Sequence, residues 1–215
     1  MNVLITGTSR GIGRAIAEKF LAQGHTVTGI DKLPAPFVCD GYKHVTADIF
    51  SGELPETEGV DILINNAGGQ ETGADIDVNL KGTIRVTEKY GVREGIKSIL
   101  FIASASARTG SEFPEYAASK GGVVAYMKNV AMRVAAFGAT ANSLSPGGVL
   151  TQSNARVMDD PALWSRIMSF TPLKKWASEE EIAEFAYFMT VTNKSMTAQD
   201  ILVDNGEANN FTFVW

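Results

Sequence analysis

The chain has 215 residues, of which 45% are hydrophobic, enough for one good core and most economically read as one domain. Its formal charge of −5, a pI near 5.1 and the lack of a basic stripe exclude a nucleic-acid surface. No apolar run reaches about 18 residues, which excludes a membrane-spanning helix, and the lone Cys39 excludes an internal disulfide.

Val3-Leu4-Ile5 reads as a buried strand over Asn2 to Thr6, leaving no room for a presequence before it. The turn Thr6-Gly7-Thr8-Ser9-Arg10-Gly11-Ile12-Gly13 follows, then a helix from Arg10 to Gln23 that stops at Gly24. Strand, glycine-rich turn and helix opening offer backbone N–H groups at a positive helix end to a pyrophosphate. Glycines suit that turn because the backbone must approach the phosphates without a Cβ in the way. The spacing is G-x-x-x-G-x-G rather than the standard dinucleotide G-x-G-x-x-G.

His25 to Asp31 reads as the second strand. Its terminal Asp31 lies about 20 residues past the glycines, where a carboxylate accepts hydrogen bonds from an adenosine ribose. The prolines in Lys32-Leu33-Pro34-Ala35-Pro36 prevent a regular helix there. Lys43 to Asp48 reads as a third strand. Between Phe50 and Gly59 the chain is short and broken by Pro55, so a full crossover helix is not expected. Asp61-Ile62-Leu63-Ile64-Asn65-Asn66-Ala67-Gly68 is an apolar strand ending in two amides, a small residue and a glycine. Only ten residues then separate Gly68 from Asn79, and the helix carrying Asn79 ends near Gly91 or Gly95.

Lys97 to Ala103 is the fifth strand, and Pro114 opens a long helix running to about Phe137. Within it, Tyr116-Ala117-Ala118-Ser119-Lys120 puts a phenol and an ammonium one turn apart on one face. A free tyrosine is a poor base at neutral pH; a cation beside it stabilises the phenolate. Ala139 to Ser145 leads to Pro146-Gly147-Gly148, and Ser153 to Phe170 reads as a mobile helical cover over a substrate. Ser178 before Glu179-Glu180-Glu181 is an N-cap with acids at the positive helix end. Asp200 to Val203 completes the sheet. Alternation of strands and helices predicts an α/β fold: a single-domain, Rossmann-like, doubly wound parallel sheet of about seven strands with helices on both faces. One cysteine and two scattered histidines, His25 and His44, do not make a zinc site. Both histidines read as structural, and the single thiol suits a reducing cytoplasm.

Taken together, the Thr6–Gly13 turn, Asn65-Asn66-Ala67-Gly68, Val78-Asn79-Leu80-Lys81-Gly82, the strand end near Ser104, Tyr116-x-x-x-Lys120 and Pro146-Gly147 resemble the short-chain dehydrogenase/reductase family. They occur in the family's order across nearly the whole chain, which would be an unusually short member. The resemblance implies hydride transfer between nicotinamide and a carbonyl carbon, with a small hydrophobic alcohol or ketone as substrate. It implies Tyr116 as acid/base, and Lys120 lowering its pKa and binding the nicotinamide ribose. Asn79 would fix a proton-relay water, and a serine would hold the substrate oxygen. Aligning Ile99–Ala103 with the family strand favours Ser104, with Ser106 the alternative.

The cofactor site implied is Gly7, Ser9, Arg10, Gly11, Ile12, Gly13, Asp31, Asn66, Ala67 and Gly68, with Asp48 and Ile49 at the adenine. Pro146, Gly147, Val149 and Thr151 would meet the nicotinamide carboxamide. Asp31 repels a 2′-phosphate and favours NAD, whereas Arg10 and Lys32 speak for NADP; the carboxylate both gains bonds from NAD and penalises NADP, so NAD is expected. Met158, Trp164, Ile167, Met168 and Phe170 would line an apolar pocket. The family's habit implies a homodimer or homotetramer, with the apolar tail Phe211–Trp215 packed on a neighbour. A dinucleotide-binding sensor without chemistry is the rival reading, opposed by the retained Asn79, Tyr116 and Lys120. A halide-releasing relative is opposed by Gly7, Gly11 and Gly13.

Overall fold

The computed structural model describes residues 1–57, 59–111 and 113–210; the tail Phe211–Trp215 lies outside them. Seven strands form one parallel sheet: β1 (Asn2–Thr6), β2 (Thr26–Asp31), β3 (Tyr42–Thr46), β4 (Ile62–Asn65), β5 (Ser98–Ile102), β6 (Thr140–Pro146) and β7 (Asp200–Val203). Their spatial order is β3-β2-β1-β4-β5-β6-β7, with Leu4 of β1 in register with Thr28 on one side and Leu63 on the other.

The central strands β1, β4 and β5 are apolar on both faces because both faces are covered. Side chains alternate across a strand. Val3, Ile5, Ile62, Ile64, Leu100 and Ile102 therefore enter one layer, while Leu4, Leu63, Ile99 and Phe101 enter the other. The first layer is closed by α1 (Gly11–Ala22) through Ile16 and Phe20, together with Ile182 and Ala186 of a helix near the carboxyl end. The second is closed by α2 (Thr83–Tyr90) through Val86 and Tyr90, and by a long helix through Val123, Met127 and Val130.

A four-residue helix α3 (Ser106–Thr109) precedes that long helix, α4 (Pro114–Val134), whose Pro114 sits in its first turn. The cover over the sheet's carboxyl edge is not one helix from 153 to 170. It breaks into a 3₁₀ turn (Gln152–Asn154), α5 (Ala155–Met158) and α6 (Pro161–Phe170). The break is local chemistry: Asp160 accepts the N–H groups of Ala162 and Leu163 as N-cap, and Pro161 starts a new helix. The last helix is α7 (Glu179–Tyr187). There Ser178 and Glu181 satisfy each other's backbone N–H groups in a capping box.

No helix forms among the described residues between β3 and β4. Buried Leu54 and Val60 plug the gap instead. Side chains of α2 hold the segment, Lys89 donating to Leu54 O at 2.9 Å and Tyr90 to Pro55 O at 2.5 Å. No described helix is long and apolar enough to cross a membrane.

Candidate active site

The sheet order reverses direction beside β1, and ligands of open α/β sheets bind outside the carboxyl ends of the strands at such a point. The glycine-rich turn leaves β1 there. Gly7 and Gly11 have φ of 77° and 62°, which side chains with a Cβ adopt only with strain. A Cβ on Gly13 would stand 2.0 Å from Gly7 O and 2.3 Å from Asn66 Nδ2. One on Gly11 would meet nothing closer than 3.9 Å. The turn is therefore closed on its inner side and open at Gly11.

The amide of Asn66 clamps the turn, donating to Thr6 O and Gly7 O at 3.0 Å each. The Thr6 hydroxyl accepts the N–H groups of Asn66 and Ala67 at 3.0 Å. The start of α1 has no side-chain cap at Arg10 and no acid in its first turn. Its leading N–H groups lack partners within the helix, and that end carries the positive dipole. A helix start with no side-chain cap and no acid of its own, beneath a Cβ-free turn, has the geometry to hold a pyrophosphate.

Asp31, expected to meet the adenosine ribose, accepts from Ser9 N at 2.9 Å and Leu33 N at 3.0 Å. The carboxylate is thus held at the tip of β2 beside the turn. Arg10 and Lys32 are exposed. Asp48, expected at the adenine, accepts Phe50 N at 2.8 Å and Ser51 N at 3.3 Å. These bonds, that from Phe50 above all, hold its pKa below the ordinary carboxylate value. Ile49 is buried in the core and fills the space over Gly82.

Four segments meet at the carboxyl ends of β4, β5 and β6. Tyr116 and Lys120 project from α4, with the Lys120 Nζ 5.7 Å from the Tyr116 ring centre. Lys120 is 5% exposed and donates to Ile102 O at 2.8 Å. Burial pushes its pKa down to about 8, with the Asp75 carboxylate pulling the other way. The sequence leads one to expect Lys120 to lower the Tyr116 pKa. In this structure burial pushes the phenol up, the Ser104 hydroxyl pulls it down, and Asp75 pushes it further up. The buried environment outweighs the neighbouring hydroxyl.

Ser104, buried beyond the end of β5, is the serine whose hydroxyl bears on the Tyr116 pKa, and it accepts Ser106 N at 3.2 Å. Ser106 instead opens α3. Asn79 lies in a π-helical turn (Ile76–Gly82), a geometry often found at functional sites. Its amide is fully engaged: Oδ1 accepts Gly69 N at 2.8 Å, and Nδ2 donates to Gly69 O at 2.8 Å and Ser119 Oγ at 3.0 Å. A Cβ on Gly68 would lie 2.8 Å from Asn79 Oδ1 and 3.4 Å from Lys120 Nζ, so Gly68 separates the two.

Pro146 ends β6 and its carbonyl accepts Ala105 N at 2.8 Å, tying the serine loop to this edge. Gly147 donates to Val203 O at 3.0 Å and packs against Asp204. Val149 is buried, and the Thr151 methyl lies 4.0 Å from a Cβ placed on Gly11, so this segment bends back over the glycine turn. In the cover, Met158, Trp164, Ile167 and Met168 are half-buried and Phe170 is 62% exposed. Trp164 packs edge-on against Trp176 at 5.0 Å. Arg156 of α5 reaches Glu71 across the mouth at 3.3 Å.

Two acids of this region escape a motif-based reading. Asp75 is 2% exposed beneath the short loop after Gly68. Glu179, at the start of α7, points its carboxyl within 3.9 Å of a Cβ placed on Gly11, and burial raises its pKa. The available signal for Asp75 was the unusually short interval between Gly68 and Asn79.

Residues 43–207 match the family model described as Enoyl-(Acyl carrier protein) reductase. The chain is 28% identical to a glucose 1-dehydrogenase of Gluconobacter oxydans (strain 621H), over 95% of this chain and 90% of that protein. A solved 4-hydroxyisoleucine dehydrogenase mutant, complexed with NADH and succinate, has the same fold: TM-score 0.86 at 24% identity, covering 96% of this chain and 98% of that one. A structure from Agrobacterium tumefaciens with bound NADP superposes with a TM-score of 0.82 at 25% identity, covering 97% of this chain and 96% of that one.

Proposed function

The chain belongs to the short-chain dehydrogenase/reductase family, and on that premise we propose that it interconverts a secondary alcohol and a ketone with NAD as hydride carrier. Membership makes it an NAD(P)-dependent oxidoreductase; the substrate, the cofactor preference and the residue roles are our reading. The observation that carries it is the convergence of Tyr116, Ser104 and Lys120 beside an uncapped, glycine-lined helix start.

When bound, the dinucleotide supplies the hydride acceptor or donor. Ser104 holds the substrate oxygen by hydrogen bonding, an interaction of the kind that contributes about 3 kcal/mol when it strengthens in the transition state. Tyr116 Oη takes the hydroxyl proton during oxidation and returns it during reduction. Lys120 supplies positive charge beside the phenol. Asn79 holds Gly69 and Ser119 in place and so fixes the loop next to Lys120.

Asp31, anchored by Ser9 and Leu33, accepts from a ribose 2′-hydroxyl and repels a 2′-phosphate, which favours NAD. Half-buried Met158, Trp164, Ile167 and Met168 favour a hydrophobic substrate skeleton. The whole chain acts as one binding and catalytic domain. Exposed Met132 on α4, with Phe185 of α7 and Phe188 just after it, favours a homodimer or homotetramer, and the single thiol of Cys39 suits the cytoplasm.

The test is turnover of NADH across cyclic and aryl secondary alcohols and their ketones, with Tyr116→Phe beside wild type. Turnover that vanishes in the variant while NADH still binds supports the reaction. Equal turnover in both proteins, or no dinucleotide binding, overturns it.

A further inference from the structure

Asp75 has no place in the family motifs, yet it is among the most buried charged side chains of the molecule, at 2% exposure. Its oxygens accept Glu71 N at 2.9 Å, Thr72 N at 2.9 Å and the Thr72 hydroxyl at 2.6 Å. Those three bonds fold the short stretch after Gly69 into a tight turn. Glu71 sits there at φ 54°, a left-handed conformation that a residue with a Cβ adopts only when its surroundings hold it. Held this way, Glu71 meets Arg156 of the cover. One helical turn further on, Asn79 fastens Gly69 to Ser119, the neighbour of Lys120.

We propose that Asp75 is a positioning residue for the reaction proposed above: its carboxylate folds the short loop over the site and serves as counter-charge to the Lys120 ammonium. Each charged or titratable group around it has a defined relation to it. Tyr116 and Lys120 of α4 lie within electrostatic reach of it, Glu71 lies in the loop it folds, and Arg156 answers Glu71 from α5. Asp77, on the same π-helical turn, is instead paired with Lys81 at 2.7 Å. Burial alone would raise the Asp75 pKa, but the bonds from Thr72 and Glu71 and the Lys120 charge hold it below the ordinary value. The acid is therefore charged at neutral pH. It stabilises the Lys120 ammonium and disfavours the Tyr116 phenolate, raising both pKa values.

Removing the charge must lower both. Oxidation requires Tyr116 as phenolate and Lys120 as ammonium; with the amine at about 8 and the phenol above its ordinary value, the amine sets the lower limb of the pH–rate profile and the phenol the upper. Asp75→Asn removes the charge and keeps one acceptor oxygen, enough for Thr72 N and its hydroxyl, while the bond from Glu71 N is lost; both limbs then move to lower pH together. A purely structural role would lower the rate and leave the limbs in place.

The deciding experiment needs neither substrate nor cofactor. The near-ultraviolet phenolate titration of wild type and of Asp75→Asn is measured, each minus its Tyr116→Phe counterpart, so that only Tyr116 is read. A lower Tyr116 midpoint in Asp75→Asn supports the proposal, and an unchanged or higher midpoint overturns it. If Asp75→Asn does not fold, Asp75→Ser, which retains a smaller acceptor, carries the same comparison. Should wild type turn over no alcohol while the midpoint moves, the proposed reaction fails and Asp75 keeps its place beside Tyr116 and Lys120.

Discussion

Lys120 donates to the carbonyl oxygen of Ile102 at 2.8 Å, crossing from the long helix α4 to the last residue of β5. The amine is buried, and burial lowers its pKa to about 8. A charge held there favours function at the expense of fold.

The stability consequence follows from linkage. Between about pH 8 and the unfolded value of 10.5, the unfolded chain binds the proton and the folded chain does not, so this group makes the protein more stable as pH rises through that window. Below about pH 8 it opposes folding by roughly 3 kcal/mol. Lys120→Met is expected to melt higher than wild type at pH 7, with the gap narrowing above pH 8 and catalysis lost. Thermal denaturation across that pH range checks it; a Met variant that melts lower at pH 7 contradicts it.

Tyr116→Phe removes the proton carrier and keeps the ring. Turnover is expected to fall by about 10²- to 10⁴-fold, the usual contribution of general acid–base catalysis. The dinucleotide dissociation constant should change little, because the glycine turn is untouched. Steady-state kinetics and a fluorescence titration with NADH separate the two.

Gly13 and Gly11 should respond differently to alanine. At Gly13 the new methyl would stand 2.0 Å from Gly7 O, so the turn must open, costing about 1–3 kcal/mol and distorting the phosphate site. At Gly11 the space is open and the cost is the φ of 62°, about 1–2 kcal/mol. Melting temperatures with and without NADH should therefore show the larger loss of ligand-induced stabilisation for Gly13→Ala.

Asp31→Asn removes the repulsion toward a 2′-phosphate and keeps one acceptor oxygen, so one of the two bonds from Ser9 N and Leu33 N is retained and the other is lost. The ratio of kcat/KM for NAD over NADP is expected to drop by at least about tenfold, since like charges brought together at a binding surface cost several kcal/mol. An unchanged ratio would hand the discrimination to Arg10 or Lys32.

Ser178→Ala deletes a capping box at α7. It should cost about 1 kcal/mol of stability with kcat unaltered. Chemical denaturation reads the loss directly.

Much of this molecule is decided by local pattern. The apolar runs at Val3–Ile5, Ile62–Ile64 and Ile99–Ile102 announce strands covered on both faces. Gly7, Gly11 and Gly13 announce a turn that needs missing Cβ atoms, and the interval from Tyr116 to Lys120 puts phenol and amine on one helical face. These depend on near neighbours in the chain, so they are legible before folding. The break at Asp159–Pro161 is equally local, but the apolar residues on either side of it follow one another at helical spacing and mask it.

Other features exist only once distant segments meet. Whether Ser104 or Ser106 reaches Tyr116 depends on where β5 ends relative to α4. The direction of the Tyr116 shift depends on how deeply α4 is buried, since desolvation outweighs the hydroxyl beside it. Asp75 becomes part of the site because a loop shortened to ten residues draws its carboxylate under α4. By itself the sequence determined the order of strands and helices, the glycine turn and the pairing of Tyr116 with Lys120, because those rest on spacing along the chain. Only the tertiary structure decided which charges feel one another, because electrostatic energies are set by distance and burial, and neither is a property of spacing.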